Sequence, residues 1–167
     1  MAKPFVKWVG GKSQLIPEIT QRLPEYVKNG MPYIYVEPFS GSAAFALHLL
    51  DSDHPPSAII LNDINTDLVN LYKVIKSYPH ELLAYLKILQ AEYDELEDKE
   101  SKQPYYYAKR GEFNTREAND IKHAGLFIFL NRAGFNGLYR VNSKNKFNVP
   151  IGSYKKPNFV FEDTILQ

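Results

Sequence analysis

Residues 33–42 read Tyr-Ile-Tyr-Val-Glu-Pro-Phe-Ser-Gly-Ser, a β-prone run that leads into a loop of small residues. Pro32 precedes the run, and Pro38 and Gly41 follow it, which predicts a short buried strand over 33–36. The apolar stretch 43–50 comes next and predicts a helix. Strand, small-residue loop and helix in this order are typical of the first unit of a doubly wound α/β sheet.

A second strand with an acidic end extends this unit. Residues 58–61 read Ala-Ile-Ile-Leu and predict a strand, Asn62-Asp63 follows it, and Thr66 is the predicted N-cap of the next helix. In such a sheet a small residue such as Gly41 lets the backbone approach a ligand. An acidic residue such as Asp63 accepts hydrogen bonds from ribose hydroxyls. A core strand followed by an ordinary glycine turn would show the same pattern.

The number of glycines limits the kind of ligand. A dinucleotide loop reads G-x-G-x-x-G, and its second glycine makes room for a pyrophosphate. Here Gly41 is followed by Ala43 and Ala44, which favours a ribose-bearing ligand without a pyrophosphate, and S-adenosylmethionine fits that description. Gly10-Gly11-Lys12-Ser13 raises a nucleotide triphosphatase as the alternative. A P-loop, however, needs a glycine where Val6 stands and a strand before it, so the pattern disfavours this site.

Most of the remaining chain is predicted to be helical. A first helix is expected to present Leu15, Ile16, Ile19 and Leu23 on its apolar face. Further helices are predicted from residue 66, from Pro79 to Leu96 and over 121–130, with a break at 101–104. Residues 139–149 predict a β-hairpin around the turn 142–145. Sheets usually hold about four to six strands, so the parallel layer is expected to be incomplete.

The composition excludes several classes of protein. The chain has 167 residues, 20 Lys and Arg against 19 Asp and Glu, and no Cys, which excludes disulfides, Cys-ligated zinc and thiol nucleophiles. Its four His lack metal-ligand spacing, so no metal site is expected. The N-terminus carries no apolar targeting segment, and no apolar run is long enough to cross a membrane. We therefore expect a cytoplasmic protein.

The near-zero net charge hides an uneven distribution. Residues 121–161 contain no Asp or Glu, whereas residues 81–100 are strongly acidic. The basic residues of the first stretch are Lys122, Arg132, Arg140, Lys144, Lys146, Lys155 and Lys156. A segregated basic stretch is typical of a surface that binds a polyanion, and a solvated basic face is the alternative.

Four motifs in register, taken together, resemble the Dam-like (D12 class) DNA adenine-N6 methyltransferases from residue 5 to residue 157. They are Phe5-Val-Lys-Trp-Val-Gly-Gly-Lys12, Glu37-Pro-Phe-Ser-Gly-Ser42, Asn62-Asp-Ile-Asn65, and Asn131-Arg-Ala-Gly-Phe-Asn-Gly-Leu-Tyr-Arg-Val-Asn142 with its continuation 147–157. The resemblance implies a Rossmann-like, S-adenosylmethionine-dependent methyltransferase sheet, incomplete in this chain, with an inserted helical and β-hairpin region that reads double-stranded DNA. It divides the chain into a cofactor-binding part (1–78), a DNA-recognition region (79–160) and the start of a C-terminal part (161–167).

The resemblance also implies which residues hold the cofactor. Matching positions assign this role to Trp8, Lys12, Gly41 and Asp63. The Lys12 ammonium suits the methionine carboxylate, the Trp8 ring offers a flat apolar surface, and Asp63 takes the ribose hydroxyls. The structural alternatives are that Trp8 is a core residue, that Lys12 is a surface residue at a helix start, and that Asp63 is a helix N-terminal charge.

A second set of residues is implied to contact DNA. Phe135 and Asn136 match positions that approach the target base pair, although Phe135 could equally be a core residue. Arg140, Asn142, Tyr154 and Lys155 match further DNA contacts. Ser153 stands where well-known relatives carry Arg, and a Ser cannot make the bidentate guanine contact. We therefore expect a GATC-like site with weaker discrimination at an outer G·C pair.

The catalytic motif of the family, Asp-Pro-Pro-Tyr, is absent from the 167 residues. Asp53-His-Pro-Pro-Ser57 lacks the aromatic residue, and Gln103-Pro-Tyr-Tyr106 lacks the acid and the second proline. No catalytic residue is therefore assigned. We expect a truncated chain with little activity alone, which a complementing C-terminal fragment or self-association would complete. The alternative is a non-catalytic module that binds DNA or cofactor.

Overall fold

The computed structural model describes residues 4–166, so the expectations that rest on residues 1–3 and 167 lie outside the described residues. In chain order the elements are a 3-10 helix (Lys12–Leu15), α1 (Ile16–Gln21), α2 (Glu25–Lys28), β1 (Ile34–Glu37), α3 (Ala44–Leu50), β2 (Ala58–Leu61), α4 (Thr66–Ser77), α5 (Pro79–Asp94), α6 (Lys99–Thr115), α7 (Asp120–Ala133), a second 3-10 turn (Phe135–Gly137) and α8 (Glu162–Ile165).

The two predicted strands pair with each other and form a small parallel sheet. The register runs from Ile34 opposite Ala58 to Glu37 opposite Leu61. Because α3 connects the strands, their carboxyl ends and the loops that follow lie at the same edge. The mixed α/β class and the two-strand parallel layer are thus confirmed for residues 4–166.

The two faces of this sheet differ in burial. On one face the Tyr35 ring lies 5.7 Å from the ring of Phe45 in α3. The side chains of Ile34, Val36 and Ile60, which belong to the other face, are exposed. The described part of the chain therefore leaves an apolar sheet face open.

The helical half of the molecule is built around α7. This helix is buried along most of its length and packs against α4, α5 and α6. Its Phe129 ring makes edge contacts with Tyr93 of α5, Tyr105 of α6 and Phe159 near the C-terminus. The helix predicted over 121–130 is confirmed, and its burial on all sides explains why the sequence there is apolar without amphipathic spacing.

Two local predictions were wrong. The N-cap of α4 is Asn65, whose Oδ1 accepts bonds from the amides of Asp67 and Leu68, and Thr66 is the first helical residue. The predicted break at 101–104 lies inside α6: the chain breaks at 95–98, where Asp98 and Ser101 form a capping box. Pro104 is exposed within α6, and burial of Tyr106 and Phe113 along the same helix outweighs its unfavourable backbone effect.

The first predicted helix is observed as the 3-10 helix followed by α1. Of its predicted apolar face, Ile16, Ile19 and Leu23 are partly buried, whereas Leu15 is exposed. The preceding residues 5–12, the N-terminal loop, cross instead to the helical half, where Phe5 and Val6 are buried in the core.

Residues 134–156, the arm, leave α7 and fold back on themselves. Antiparallel bridges join Gly134 to Ile151 and Val141 to Phe147. The inner bridge, from Val141 to Phe147, encloses the turn at 142–145. The predicted hairpin is thus observed as a bridged loop. No helix within residues 4–166 is both long and apolar enough to span a membrane.

Candidate functional site

A cavity of about 250 Å³ opens where the carboxyl ends of β1 and β2 meet the N-terminal loop. Its lining includes all four residues that the sequence assigned to a cofactor, namely Trp8, Lys12, Gly41 and Asp63. The N-terminal loop supplies two of them, and the loops after the two strands supply the others. The topology thus brings together residues from three separate motifs.

The loop after β1 is held in place by polar contacts. Gly41 has φ +49°, its amide donates to Oδ2 of Asp63 at 3.0 Å, and its carbonyl accepts a 2.6 Å bond from the Tyr72 hydroxyl. The second Asp63 oxygen accepts the amide of Asn65 at 3.0 Å. A Cβ at Gly41 would lie 2.9 Å from Cδ1 of Trp8, so the cavity needs glycine for its close approach as well as for its backbone.

Lys12 and Glu37 form an ion pair in the wall of the cavity. The Lys12 Nζ donates to Oε1 of Glu37 at 2.9 Å and to the carbonyl of Phe39 at 3.1 Å. Glu37 is only 3% exposed, and within the described chain its Oε2 and the buried Ser40 hydroxyl have no hydrogen-bond partner. Buried polar atoms without a partner are costly, so this wall suits a polar ligand.

Sequence reasoning expected the neighbours of Gly41, such as Ser40, to line the site, but it missed Glu37. The available signal was the position of Glu37 at the carboxyl end of the first strand, where ligands bind in open α/β sheets.

Trp8 lies between the cavity and the helical half. Its ring centroid is 6.3 Å from that of Phe127 in α7 and 5.5 Å from that of Tyr139 in the arm. The side chain is half-buried, so it packs against the core and lines the cavity at the same time. A movement of the arm would therefore be transmitted to the cavity wall through the contact between the Tyr139 and Trp8 rings.

A buried carboxylate ties the arm to α4. Asp67 is only 6% exposed. Its Oδ1 pairs with the Arg116 guanidinium and lies 2.9 Å from Nε2 of His123. Its Oδ2 accepts a 2.6 Å hydrogen bond from the Tyr139 hydroxyl. Burial opposes the charge, but the bonds from His123, Tyr139 and Arg116 outweigh it and lower the pKa of Asp67. Burial, together with Asp67, raises the pKa of Tyr139 to about 12, so the phenol stays a donor.

The residues that the sequence assigned to DNA are distributed along the arm. Phe135 is 49% exposed, which excludes it as a core residue, and Asn136, Arg140, Asn142 and Lys155 are exposed as well. Two of these side chains also have local bonds: Arg140 Nε donates to Oδ1 of Asn148 at 2.7 Å, and Asn142 Oδ1 accepts the amides of Lys144 and Lys146.

Tyr154 stands apart from the other residues of this set. It is half-buried, its hydroxyl accepts a 2.8 Å bond from Lys7 Nζ, and the same ammonium lies 4.1 Å from its ring centroid. The exposed Ser153 precedes it. The second half of the arm is therefore attached to the N-terminal loop.

The charged side chains of the arm are all basic. The stretch 121–161 contains no Asp or Glu, and the polar residues of the turn 142–145 are exposed. Such a surface attracts a polyanion and positions its phosphates. Among residues 4–166, no group of three His, Asp or Glu side chains is arranged to hold a metal ion.

Comparison with known proteins agrees with this arrangement. Residues 8–167 match the family model of the D12 class N6 adenine-specific DNA methyltransferases. The chain is 41% identical over 165 residues to the type II methyltransferase M.MjaIII of Methanocaldococcus jannaschii, which covers 98% of this chain and 56% of that protein.

Two DNA adenine methylases are similar as well. The enzyme of Haemophilus influenzae is 40% identical over 157 residues, which cover 94% of this chain and 49% of that protein. The enzyme of Escherichia coli (strain K12) is 38% identical over 157 residues, which cover 94% of this chain and 50% of that protein. The chain thus spans about half the length of the curated relatives it matches. With the match of residues 8–167, these relationships establish that the chain belongs to the D12 class of N6 adenine-specific DNA methyltransferases.

Proposed function

We propose that this chain forms the cofactor-binding and DNA-reading part of an enzyme that transfers a methyl group from S-adenosylmethionine to adenine N6 in double-stranded DNA. The observation that carries the proposal is the meeting of two surfaces. Trp8 lines the cavity at the edge of the sheet, and its ring lies 5.5 Å from the ring of Tyr139 in the basic arm. A methyl donor and a DNA base must come together at such a boundary.

The cavity fits the chemical parts of S-adenosylmethionine. The Lys12 ammonium complements the methionine carboxylate, and the unpartnered Oε2 of Glu37 is an acceptor for the methionine ammonium. Asp63 receives the ribose hydroxyls, and the absence of a side chain at Gly41 lets the ligand approach the backbone. The bound cofactor supplies an electrophilic methyl group on a sulfonium, and these residues bind and orient it.

The exposed residues of the arm suit a duplex ligand. Phe135 and Asn136 approach the target base pair, which must be opened because adenine N6 cannot be reached inside the stack. Arg140 and Asn142 carry the planar donor groups that read base edges, and Tyr154 and Lys155 contact the backbone. We propose a GATC-like site, with weaker discrimination at the outer G·C pair because Ser153 replaces Arg.

Transfer itself needs groups that these 167 residues do not contain. No Asp-Pro-Pro-Tyr sequence occurs among them. We propose that 1–78 binds cofactor, that 79–160 reads DNA, and that 161–167 leads into a C-terminal part bearing that motif. The exposed apolar sheet face of Ile34, Val36 and Ile60 supports this, since added strands and helices of a larger sheet would cover it.

The test is transfer of a radiolabelled methyl group to unmethylated DNA, with protein made in a host that lacks adenine methylation. Duplexes with one GATC site are compared with duplexes in which the adenine is replaced. We expect no transfer by the chain alone and transfer after addition of a C-terminal fragment that carries Asp-Pro-Pro-Tyr. Transfer by the chain alone would refute the missing-motif proposal.

A non-catalytic binding module is the second candidate, and the absent motif favours it. It predicts binding of cofactor and DNA with no transfer even after the fragment is added. Binding of neither ligand would overturn both candidates.

A further inference from the structure

Asn131 is buried between the N-terminal loop and the arm, and all its amide bonds go to backbone groups of these two segments. Its Oδ1 accepts the amide of Lys7 at 2.7 Å. Its Nδ2 donates to the Lys7 carbonyl at 2.8 Å and to the Gly137 carbonyl at 2.9 Å. The residue is only 2% exposed, so these bonds are shielded from bulk solvent.

The two segments also touch directly at this point. Gly137 has φ +64°, and a Cβ there would lie 2.3 Å from Cδ and 2.6 Å from Cβ of Lys7. Lys7 in turn bonds the Tyr154 hydroxyl in the returning half of the arm. Both ends of the arm are therefore fixed to one residue of the N-terminal loop.

The next residue of that loop is Trp8, which lines the cavity. A ligand that contacts Trp8 would restrict its position, and through the Lys7 backbone and Asn131 it would restrict the start of the arm. DNA bound to the arm would act in the reverse direction. Two ligands that favour the same arrangement of one shared element are coupled, and the coupling is reciprocal.

We propose that Asn131 is a positioning residue that couples cofactor binding to DNA binding, so that each ligand tightens the other. Asn131 touches neither ligand and acts through Lys7 and Gly137. The inference rests on the proposed function, because it requires that both sites lie in this chain. It adds a role for a buried amide that neither ligand explains.

The experiment measures the dissociation constant of S-adenosylhomocysteine with and without a saturating duplex that carries a GATC site, using the full chain. We expect the wild-type constant to fall by about 5-fold or more when DNA is present. In Asn131→Asp, which keeps the acceptor and loses both donors, we expect this ratio to fall to about 1. Thermal unfolding of each variant shows whether it is folded at the assay temperature.

Asn114→Asp is the matched control. The Asn114 amide also bonds backbone in both directions, accepting the amide of Phe147 at 2.7 Å and donating to its carbonyl at 2.9 Å, but it joins α6 to the arm. The same chemical change there should leave the ratio at the wild-type value. Gly137→Ala disturbs the contact from the arm side and should lower the ratio even if Asn131→Asp fails to fold.

The outcomes separate the two proposals. If the wild type binds both ligands with a ratio of about 1, the coupling is refuted and the proposed function stands. If folded Asn131→Asp or Gly137→Ala keeps the wild-type ratio, the role of Asn131 in the coupling is refuted and the proposed function again stands. If the wild type binds neither ligand, the proposed function fails and the coupling fails with it. An equal loss of coupling in Asn114→Asp would show that any damage to the arm has this effect and would refute the specific role of Asn131.

Discussion

Lys12 Nζ lies 2.9 Å from Oε1 of Glu37, so the ammonium that the sequence assigns to a ligand carboxylate is held in position by a protein carboxylate. The pair has opposite charges side by side in one wall of the cavity. In the proposed cofactor complex, this pair would face the two charged groups at the amino-acid end of S-adenosylmethionine.

Replacing Lys12 with Gln should weaken cofactor binding. The change removes the charge and keeps a hydrogen-bonding side chain of similar length, and a bond to a charged group is worth about 1.5–3 kcal/mol. We expect an increase of about 10- to 100-fold in the dissociation constant of S-adenosylhomocysteine, measured by isothermal titration calorimetry.

Lys28→Gln is the control for this change, because Lys28 forms an exposed ion pair with Glu25 outside the cavity. It should bind as the wild type does. Unchanged affinity in Lys12→Gln would contradict the assigned role. If Lys12→Gln instead lost a magnesium-dependent binding of nucleotide that the wild type shows, the triphosphatase alternative would be supported.

Gly41→Ala should close the cavity. The new Cβ would meet the Trp8 ring at 2.9 Å and would force a left-handed backbone on alanine, which costs about 1–2 kcal/mol. We expect cofactor binding to fall below detection while the chain remains folded by circular dichroism. Gly111→Ala is the matched control: it lies in α6 with nothing within 4 Å of its Cβ, and it should bind normally and be slightly more stable. Normal binding by Gly41→Ala would place the ligand elsewhere.

Two exposed cations of the arm should affect DNA binding differently. Lys155→Gln should weaken binding to every duplex alike and reduce the slope of log K against log salt by about 1, because Lys contacts phosphate. Arg140→Gln should weaken binding to a GATC duplex by about 1–3 kcal/mol more than binding to a scrambled duplex, because guanidinium reads base edges. Fluorescence anisotropy over a salt series measures both. Equal effects of Arg140→Gln on the two duplexes would make it a phosphate contact instead.

The buried Asp67 should make stability depend on acid pH. Its pKa is lowered in the folded chain, so its contribution is complete above the ordinary pKa of a carboxyl group and is lost as the pH falls through the folded value. Urea unfolding at about pH 7 and about pH 2, which lies below the ordinary pKa of a carboxyl group, should show lower stability at the lower pH, and a smaller difference in Asp67→Asn.

Asp67→Asn should also lower the free energy of unfolding at about pH 7 by about 3 kcal/mol, because it leaves the Arg116 charge without its partner. The control, Glu162→Gln, removes an exposed pair with Lys87 and should change stability by less than about 1 kcal/mol. A pH dependence in Asp67→Asn equal to that of the wild type would assign the effect to other carboxylates.

The convergence of Gly41 and Asp63 could be predicted from the sequence because it follows from topology. Residues after neighbouring parallel strands meet at one edge, and strand and loop signals lie within short windows. The pairing of Lys12 with Glu37 and the Asp67 network could not be predicted this way. Their partners lie far apart in the chain, and side-chain direction depends on packing that no local pattern contains.

The errors at Thr66 and Pro104 have a related cause. Asn65 and Thr66 are both good capping residues, and the backbone geometry of the loop decides between them. Pro104 is a strong local breaker, but Asp98 and Ser101 start the helix earlier and buried aromatics further along hold it together. At residues 65–66 the conformation of the loop decides, and at Pro104 the packing of aromatic side chains further along the helix outweighs the propensity of one residue.

Trp8 is the single tryptophan of the chain, and it lies where the cavity wall meets the Tyr139 ring. The intrinsic fluorescence of the unlabelled protein, excited at the red edge where tyrosine does not absorb, therefore comes from one indole at this boundary. A shift of its emission maximum on addition of cofactor or duplex would follow each binding event in real time. The same signal would resolve the order in which the two ligands arrive.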